Sequence, residues 1–141
     1  MGSIVSLEEV NSFFNEAFKG EGTKPVLIEL DEGFARAKLA YNEKYLRPGN
    51  VISGPTQMSL ADTVTYAAIF TRIGITPMTV TSSLNMSFLR PCKAEDVIAI
   101  CRLMKIGRKL AVGDVTIGGA SQIDAGKPAS HAVVTYAIPD A

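Results

Sequence analysis

The sequence is poor in the residues that build metal and redox sites: it has one histidine, His131, and two cysteines, Cys92 and Cys101. A zinc site closed by several imidazoles is therefore excluded, and the two cysteines lack metal-ligand spacing. Both fall in strand-like stretches, where a small buried apolar residue is the plainer reading. Charge of one sign is also missing. Fourteen Lys and Arg balance fourteen Asp and Glu, with no basic block, so nothing supplies the electrostatic footprint needed for nucleic acid or an anionic membrane. The N-terminal MGSIVSLEEVNSFF lacks the basic start and apolar core of a signal peptide. The long uncharged run from Pro48 to Thr71 is interrupted by Asp62 and carries Gly, Asn, Ser and Gln early on, which makes it a poor membrane span. The expectation is a cytoplasmic protein with neither metal nor cofactor.

What is present reads as a single domain over residues 1–141. Ser6-Leu7-Glu8-Glu9 has the form of a capping box, with Val10, Phe13, Phe14 and Ala17 following at helical spacing and Gly20 to Gly22 ending the helix. Pro25–Leu30 and Phe34–Tyr41 alternate apolar and polar residues around Asp31-Glu32-Gly33, as a β-hairpin does. After a loop over Asn42–Gly54, Pro55 suits the first position of a helix that runs to about Ile73 and stops at Gly74 and Pro77. This helix is apolar on most sides and must be buried.

Beyond Pro77 the period falls to two. Val80, Ser82, Leu84, Met86 and Phe88 share one parity, and Thr79, Thr81, Ser83, Asn85 and Ser87 the other. Strands are expected over about Asp96–Ile106, Leu110–Ser121 and Ser130–Ile138, joined by turns at Gly107-Arg108-Lys109 and Asp124 to Pro128. An apolar helix followed by a run of antiparallel strands gives an α+β fold, a curved antiparallel sheet wrapped around one long helix. The polar, uncharged second face of that sheet is either solvated or used in association.

Asp62 is the only charge between Arg47 and Arg72, two turns inside an otherwise uncharged helix. At that depth the helix dipole no longer favours a carboxylate, and burying one without partners is costly. It is either a structural Asp satisfied by neighbouring hydroxyls or amides, or an acid, base or nucleophile tuned by its surroundings. Gly54 stands at the helix start, where free N–H groups and the positive dipole stabilise an oxygen gaining charge. Pro55 donates nothing, so Gly54 is the natural donor there. The two lie eight residues apart, about 12 Å along a straight helix. One small reacting group cannot touch both, so if both act, each site combines Gly54 of one subunit with Asp62 of another.

Ser53-Gly54-Pro55 through Leu60-Ala61-Asp62 resembles the His-Gly-Gly…Leu-(Ala/Val)-Asp segment of the PaaI-like, phenylacetate-type hotdog thioesterases. Leu84-Asn85-Met86-Ser87-Phe88-Leu89-Arg90-Pro91 is similar to that family's strand ending in an Arg/Ser-Pro turn, and Gly107-Arg108-Lys109-Leu110-Ala111 to its Gly-(Lys/Arg)-x-Leu-Ala hairpin. The resemblance implies a hotdog fold with a short N-terminal helix, and a homo-oligomer, a dimer or a dimer of dimers (homotetramer). It also implies hydrolysis of acyl-CoA, the CoA being part of the substrate. Gly54 would donate to the thioester carbonyl. Asp62 would be general base or nucleophile, and Thr81 matches a position where some members place a Ser hydroxyl near the attacking water. The family's His is Ser53 here, its second Gly is Pro55, and its upstream Asn corresponds to Arg47. Ser53 can still hold a water or a polar group of the substrate, and Arg47 near Asp62 would keep the carboxylate ionised. Arg90, Lys93, Arg108 and Lys109 lie at turns and are candidates for the CoA phosphates, with solvated turn charges as the competing reading. Two further readings are a non-catalytic acyl-thioester binder and a hydroxyacyl-thioester dehydratase. The second needs a histidine, and His131 is far in sequence from the helix.

Overall fold

The computed structural model describes residues 2–20 and 22–139; residues 1, 21, 140 and 141 of the domain expected over 1–141 lie outside the described residues. Helix α1 spans Leu7–Ala17. The Ser6 hydroxyl accepts from the Glu9 N–H and the Glu9 carboxylate accepts from the Ser6 N–H, both at 3.0 Å, so the box satisfies two otherwise orphaned donors. Its buried residues are Val10 and Phe14. Strands β1 (Val26–Asp31) and β2 (Phe34–Leu39) form the expected hairpin, with Gly33 at φ +68 in the turn. A one-turn 3-10 segment at Glu43–Tyr45 leads into two two-residue strands, β3 (Leu46–Arg47) and β4 (Val51–Ile52). This small hairpin delivers the chain to the long helix α2 (Gly54–Ile73).

The later strands are β5 (Val80–Phe88), β6 (Val97–Ile106), β7 (Leu110–Gly119) and β8 (Ser130–Ala137). They join β1 and β2 in one antiparallel sheet of order β1-β2-β6-β7-β8-β5. α2 lies across its inner face, with Leu60, Ala61, Val64, Ala67, Ala68, Ile69 and Phe70 essentially solvent-free. The sheet meets it with Ala111, Gly113, Val115, Ala132 and Val134. These are small residues, and a Cβ built on Gly113 would sit 2.8 Å from Cys101 Sγ and 3.0 Å from Thr65 Cγ2. The helix packs directly onto the backbone there. No helix among the described residues is long and apolar enough to cross a membrane.

Besides the 3-10 turn and small hairpin inside the expected Asn42–Gly54 loop, three local features differ from the sequence reading. The Leu110 strand ends at Gly119, and α3 (Ala120–Asp124) replaces the expected continuation to Ser121. Glu95 Oε2 accepts from both the Ser121 N–H and the Ser121 hydroxyl at 2.7 Å, and Gln122 Oε1 accepts from the Gly119 N–H at 2.9 Å. Glu95 reaches the turn from another segment and Gln122 caps it from within α3, so strand periodicity could not foretell either. At the start of α2, Ser53 is the N-cap, Gly54 the first helical residue and Pro55 the second. In β5, the strict two-residue parity breaks between Thr81 and Ser83: Thr81 pairs with Tyr136, while Ser83 pairs with Thr135. The bulge absorbs Ser82 and turns Thr81 to the side of the sheet that Tyr136 shares with the core.

Candidate active site

That bulge builds the site. Asp62 sits half-buried on α2 beneath the ends of β5 and β8. The Thr81 hydroxyl donates to Asp62 Oδ1 at 2.5 Å, and the Tyr136 hydroxyl donates to the same oxygen at 2.7 Å and to the Asp62 carbonyl at 2.9 Å. Burial, and secondly the Asp62 charge, push the Tyr136 phenol well above its ordinary pKa, so it stays a donor across the working pH range. Tyr66 is raised by the same two causes in the same order. The ring of Tyr136 stacks on Tyr66 with centroids 5.5 Å apart, and Tyr66 in turn meets Phe13, Phe14 and Phe70, which ties α1 to the site. Tyr136 escaped the sequence reading. Its inward parity on β8 was the available signal, but an inward Tyr is by default a packing residue.

A cavity of about 270 Å³ opens beside the carboxylate. Phe14, Phe18, Pro25, Tyr66 and Tyr136 form its apolar walls, and Asn15, Lys24, Ser59, Asp62 and Thr63 its polar ones. Such a mixed lining accepts an organic group held by a few directed polar contacts.

The other candidate residues gather at the start of α2. The Ser53 side chain accepts from the Thr56 N–H at 3.3 Å and lies 2.8 Å from the Thr56 hydroxyl, so it is committed to capping. Gly54, at the first position, carries an N–H with no partner among the described residues, as the end of a helix demands. The Phe88 ring lies 3.4 Å from where a Gly54 Cβ would stand. Pro55 is exposed. Arg47, on β3, donates from Nε to the Pro48 carbonyl at 3.2 Å and makes no ion pair with Asp62 in its own protomer.

The four turn cations divide into two groups. Lys93 bridges to Val51 beside the helix start, and Arg90 donates to the Pro128 carbonyl near the same end. Arg108 and Lys109 occupy the turn between β6 and β7, at the carboxylate end of the sheet. Ten-residue strands separate the groups by about 30 Å. Within one protomer they cannot hold the same phosphates.

Several groups stay outside this chemistry. His131 Nε2 pairs with Asp114 Oδ1 at 2.5 Å on β8 and β7, with both side chains partly exposed. Thr116 is the register partner of His131, and Thr116 alternates with the inward Val115 and Ile117, which places the pair on the sheet face away from Asp62. Burial pushes the Cys92 thiol up to about 11 and the Cys101 thiol up to about 12, so both are poor nucleophiles. Among the described residues no His, Cys, Asp and Glu cluster could hold a metal ion.

The fold recurs in known proteins. A thioesterase-assigned structure from Silicibacter sp. TM1040 superposes with a TM-score of 0.85 at 29% identity, covering 99% of this chain and 95% of that one. The PaaI protein of the phenylacetic acid degradation operon of E. coli shares the fold, with a TM-score of 0.73, 22% identity and coverage of 95% and 96%. A protein of Saccharolobus solfataricus, provisionally named an esterase, is 29% identical over 115 residues, 80% of this chain and 75% of its own length. The fold is the hotdog fold, an antiparallel sheet around a long central helix with a short helix before it. Residues 49–119, half the chain, match the thioesterase superfamily, and the chain belongs to that family.

Proposed function

We propose that this protein hydrolyses acyl-CoA thioesters to the free acid and CoA, in active sites that each span two protomers. The observation that carries this reading is the Asp62 carboxylate: one oxygen is held by two hydroxyls, the other has no partner among the described residues, and a cavity lies alongside. That is the arrangement of a base waiting for a water.

The second half of the site comes from β5. This strand is nine residues long and forms one edge of the sheet, with a row of unpaired backbone groups that invites another strand. Its Val80 end stands by Asp62 and its Phe88 end packs on Gly54. Antiparallel pairing of β5 with its copy about a two-fold axis brings the Thr81 end of one protomer to the Phe88 end of the other. The Gly54 N–H of one subunit then approaches the Asp62 of its neighbour, as their separation of about 12 Å on one helix requires. The same operation brings Arg47, Arg90 and Lys93 of one protomer toward Arg108 and Lys109 of the other, so both groups of cations flank one composite site and are available to CoA phosphates.

The chemistry follows. The thioester carbonyl accepts from the Gly54 N–H at the positive end of α2. The free oxygen of Asp62 takes a proton from water as that water attacks the carbonyl carbon. The oxyanion collapses, the carbon–sulfur bond breaks, and the CoA thiolate takes up the proton held on Asp62. The acyl group occupies the cavity bounded by Phe14, Tyr66 and Tyr136.

A panel of aliphatic and aryl acyl-CoA thioesters, read by free-thiol release, tests this. Release is expected with at least one class, and Asp62→Asn should lose about a thousandfold or more in kcat while keeping its melting temperature. Tight acyl-CoA binding without thiol release would overturn the proposal in favour of a non-catalytic binder.

A further inference from the structure

The two oxygens of the Asp62 carboxylate are treated unequally. Oδ1 accepts from Thr81 and Tyr136, which reach it from β5 and β8, whereas Oδ2 has no protein partner among the described residues. The single phenol proton of Tyr136 is shared between Oδ1 at 2.7 Å and the backbone carbonyl of Asp62 at 2.9 Å, so one hydroxyl addresses both the side chain and the helix that carries it. We propose that Tyr136 is a positioning residue for the hydrolytic reaction: its hydroxyl locks the Asp62 carboxylate in one rotamer, so that Oδ2 alone is presented to the attacking water. This rests on the reading of Asp62 as the base.

Three observations separate this role from simple packing. Tyr136 is 3% exposed, and its ring is already held by stacking on Tyr66; phenylalanine would fill the same space. Both acceptors that the hydroxyl reaches belong to Asp62, its Oδ1 and its backbone carbonyl. Its counterpart Thr81 is brought into reach by a bulge, a local distortion of the ladder whose visible result is a second donor on the same oxygen.

The proposal also has a sign that an electrostatic role would not share. Donors to a carboxylate stabilise its charged form and so weaken it as a base. If Tyr136 acted only through charge, removing its hydroxyl would strengthen the base and leave turnover equal or faster. A positioning hydroxyl gives the opposite: turnover falls although the carboxylate becomes easier to protonate, because a misplaced base loses the alignment on which proton transfer depends.

The test is Tyr136→Phe on the full chain, with kcat, KM and the pH–rate profile measured on the thioester that the wild type hydrolyses best. The expected result is a roughly tenfold fall in kcat, the size of one hydrogen bond to a charged group, with KM within about twofold. The acid limb should move to higher pH. Site-specific 3,5-difluorotyrosine at 136, a stronger donor of nearly the same shape, should move the acid limb the other way and keep kcat near wild type. Wild-type kcat with an unmoved acid limb in Tyr136→Phe overturns the proposal. If that variant fails to fold, an unmoved limb in the fluorotyrosine protein does so instead. Asp62→Asn run alongside keeps the two failures apart: a dead Asp62→Asn with an intact Tyr136→Phe sinks only the positioning role, whereas an active Asp62→Asn sinks the base itself.

Discussion

The two functional regions of α2 are built on opposite plans. At the carboxylate, everything that orients Asp62 comes from its own protomer: Thr81 from β5, Tyr136 from β8, and an aromatic cluster that reaches α1. At the helix start, Ser53 caps the Thr56 N–H, but the Gly54 N–H has no partner among the described residues and three cations stand nearby. One region is complete except for its substrate, while the other presents a donor to whatever the edge of β5 brings. In the proposed dimer, that contrast makes each protomer the carrier of two half-sites rather than one site.

Subunit complementation gives the sharpest break of that comparison. Gly54→Pro removes the N–H at a helix position that tolerates proline, and Asp62→Asn removes the carboxylate, so each variant alone should be inactive. Unfolded and refolded together, they form mixed dimers with one doubly defective site and one intact site. Random pairing puts about half of the subunits in mixed dimers, so about a quarter of wild-type thioesterase activity should return. A mixture of two folded variants that stays dead would show that the half-sites do not meet across subunits.

How much of this was legible follows the range of the interactions. The capping box at Ser6 and Glu9, the hairpin at Gly33 and the extent of α2 to Ile73 are set by neighbours in the chain, and each reads directly from spacing. Asp62 stood out because a lone charge in an uncharged helix is a local anomaly. Its partners were not legible in the same way. Thr81 reaches it only because β5 bulges at Ser82, where alternation had assigned Thr81 to the opposite face. Tyr136 is 74 residues away in the chain and is paired through strand register alone. The ends of α2 told a similar story: Pro55 marked the helix start, but the cap fell to Ser53, whose side chain was free to accept the Thr56 N–H.

Alanine at two glycines compares the regions by packing. A Cβ on Gly113 would stand 2.8 Å from Cys101 Sγ and 3.0 Å from Thr65 Cγ2, one turn of α2 beyond Asp62. Cys101 or Thr65 must shift in a fully buried seam between helix and sheet, so Gly113→Ala should cost about 1–3 kcal/mol, seen as a lowered melting temperature, and should lower kcat by disturbing the hydroxyl clamp. At Gly54 the added methyl meets only the edge of the Phe88 ring at 3.4 Å, and the N–H is retained. Gly54→Ala should therefore melt within a degree or two of wild type, since a contact of that length needs only a small adjustment. Equal losses at both positions would mean that the carboxylate half is no more tightly built than the donor half.

The smallest expected effect is the one that a single protomer could not produce. Arg47 stands at the donor end, with its Nε bonded to the Pro48 carbonyl and no contact with the Asp62 of its own chain. An exposed guanidinium farther off than the screening length, about 10 Å at 0.1 M salt, is nearly silent. In the proposed dimer, however, Arg47 of one subunit flanks the Asp62 of the other. A nearby cation favours the ionised carboxylate, so removing it makes protonation easier. The acid limb of the pH–rate profile of Arg47→Ala should then move to higher pH. Raising the salt to 1 M, where the screening length falls to about 3 Å, should shrink the difference between wild type and variant. Arg47→Lys, which keeps the charge, should leave the limb in place. A limb that does not move at low salt would leave Arg47 facing solvent and would remove it from the composite site, with the complementation result left to decide whether that site is shared at all.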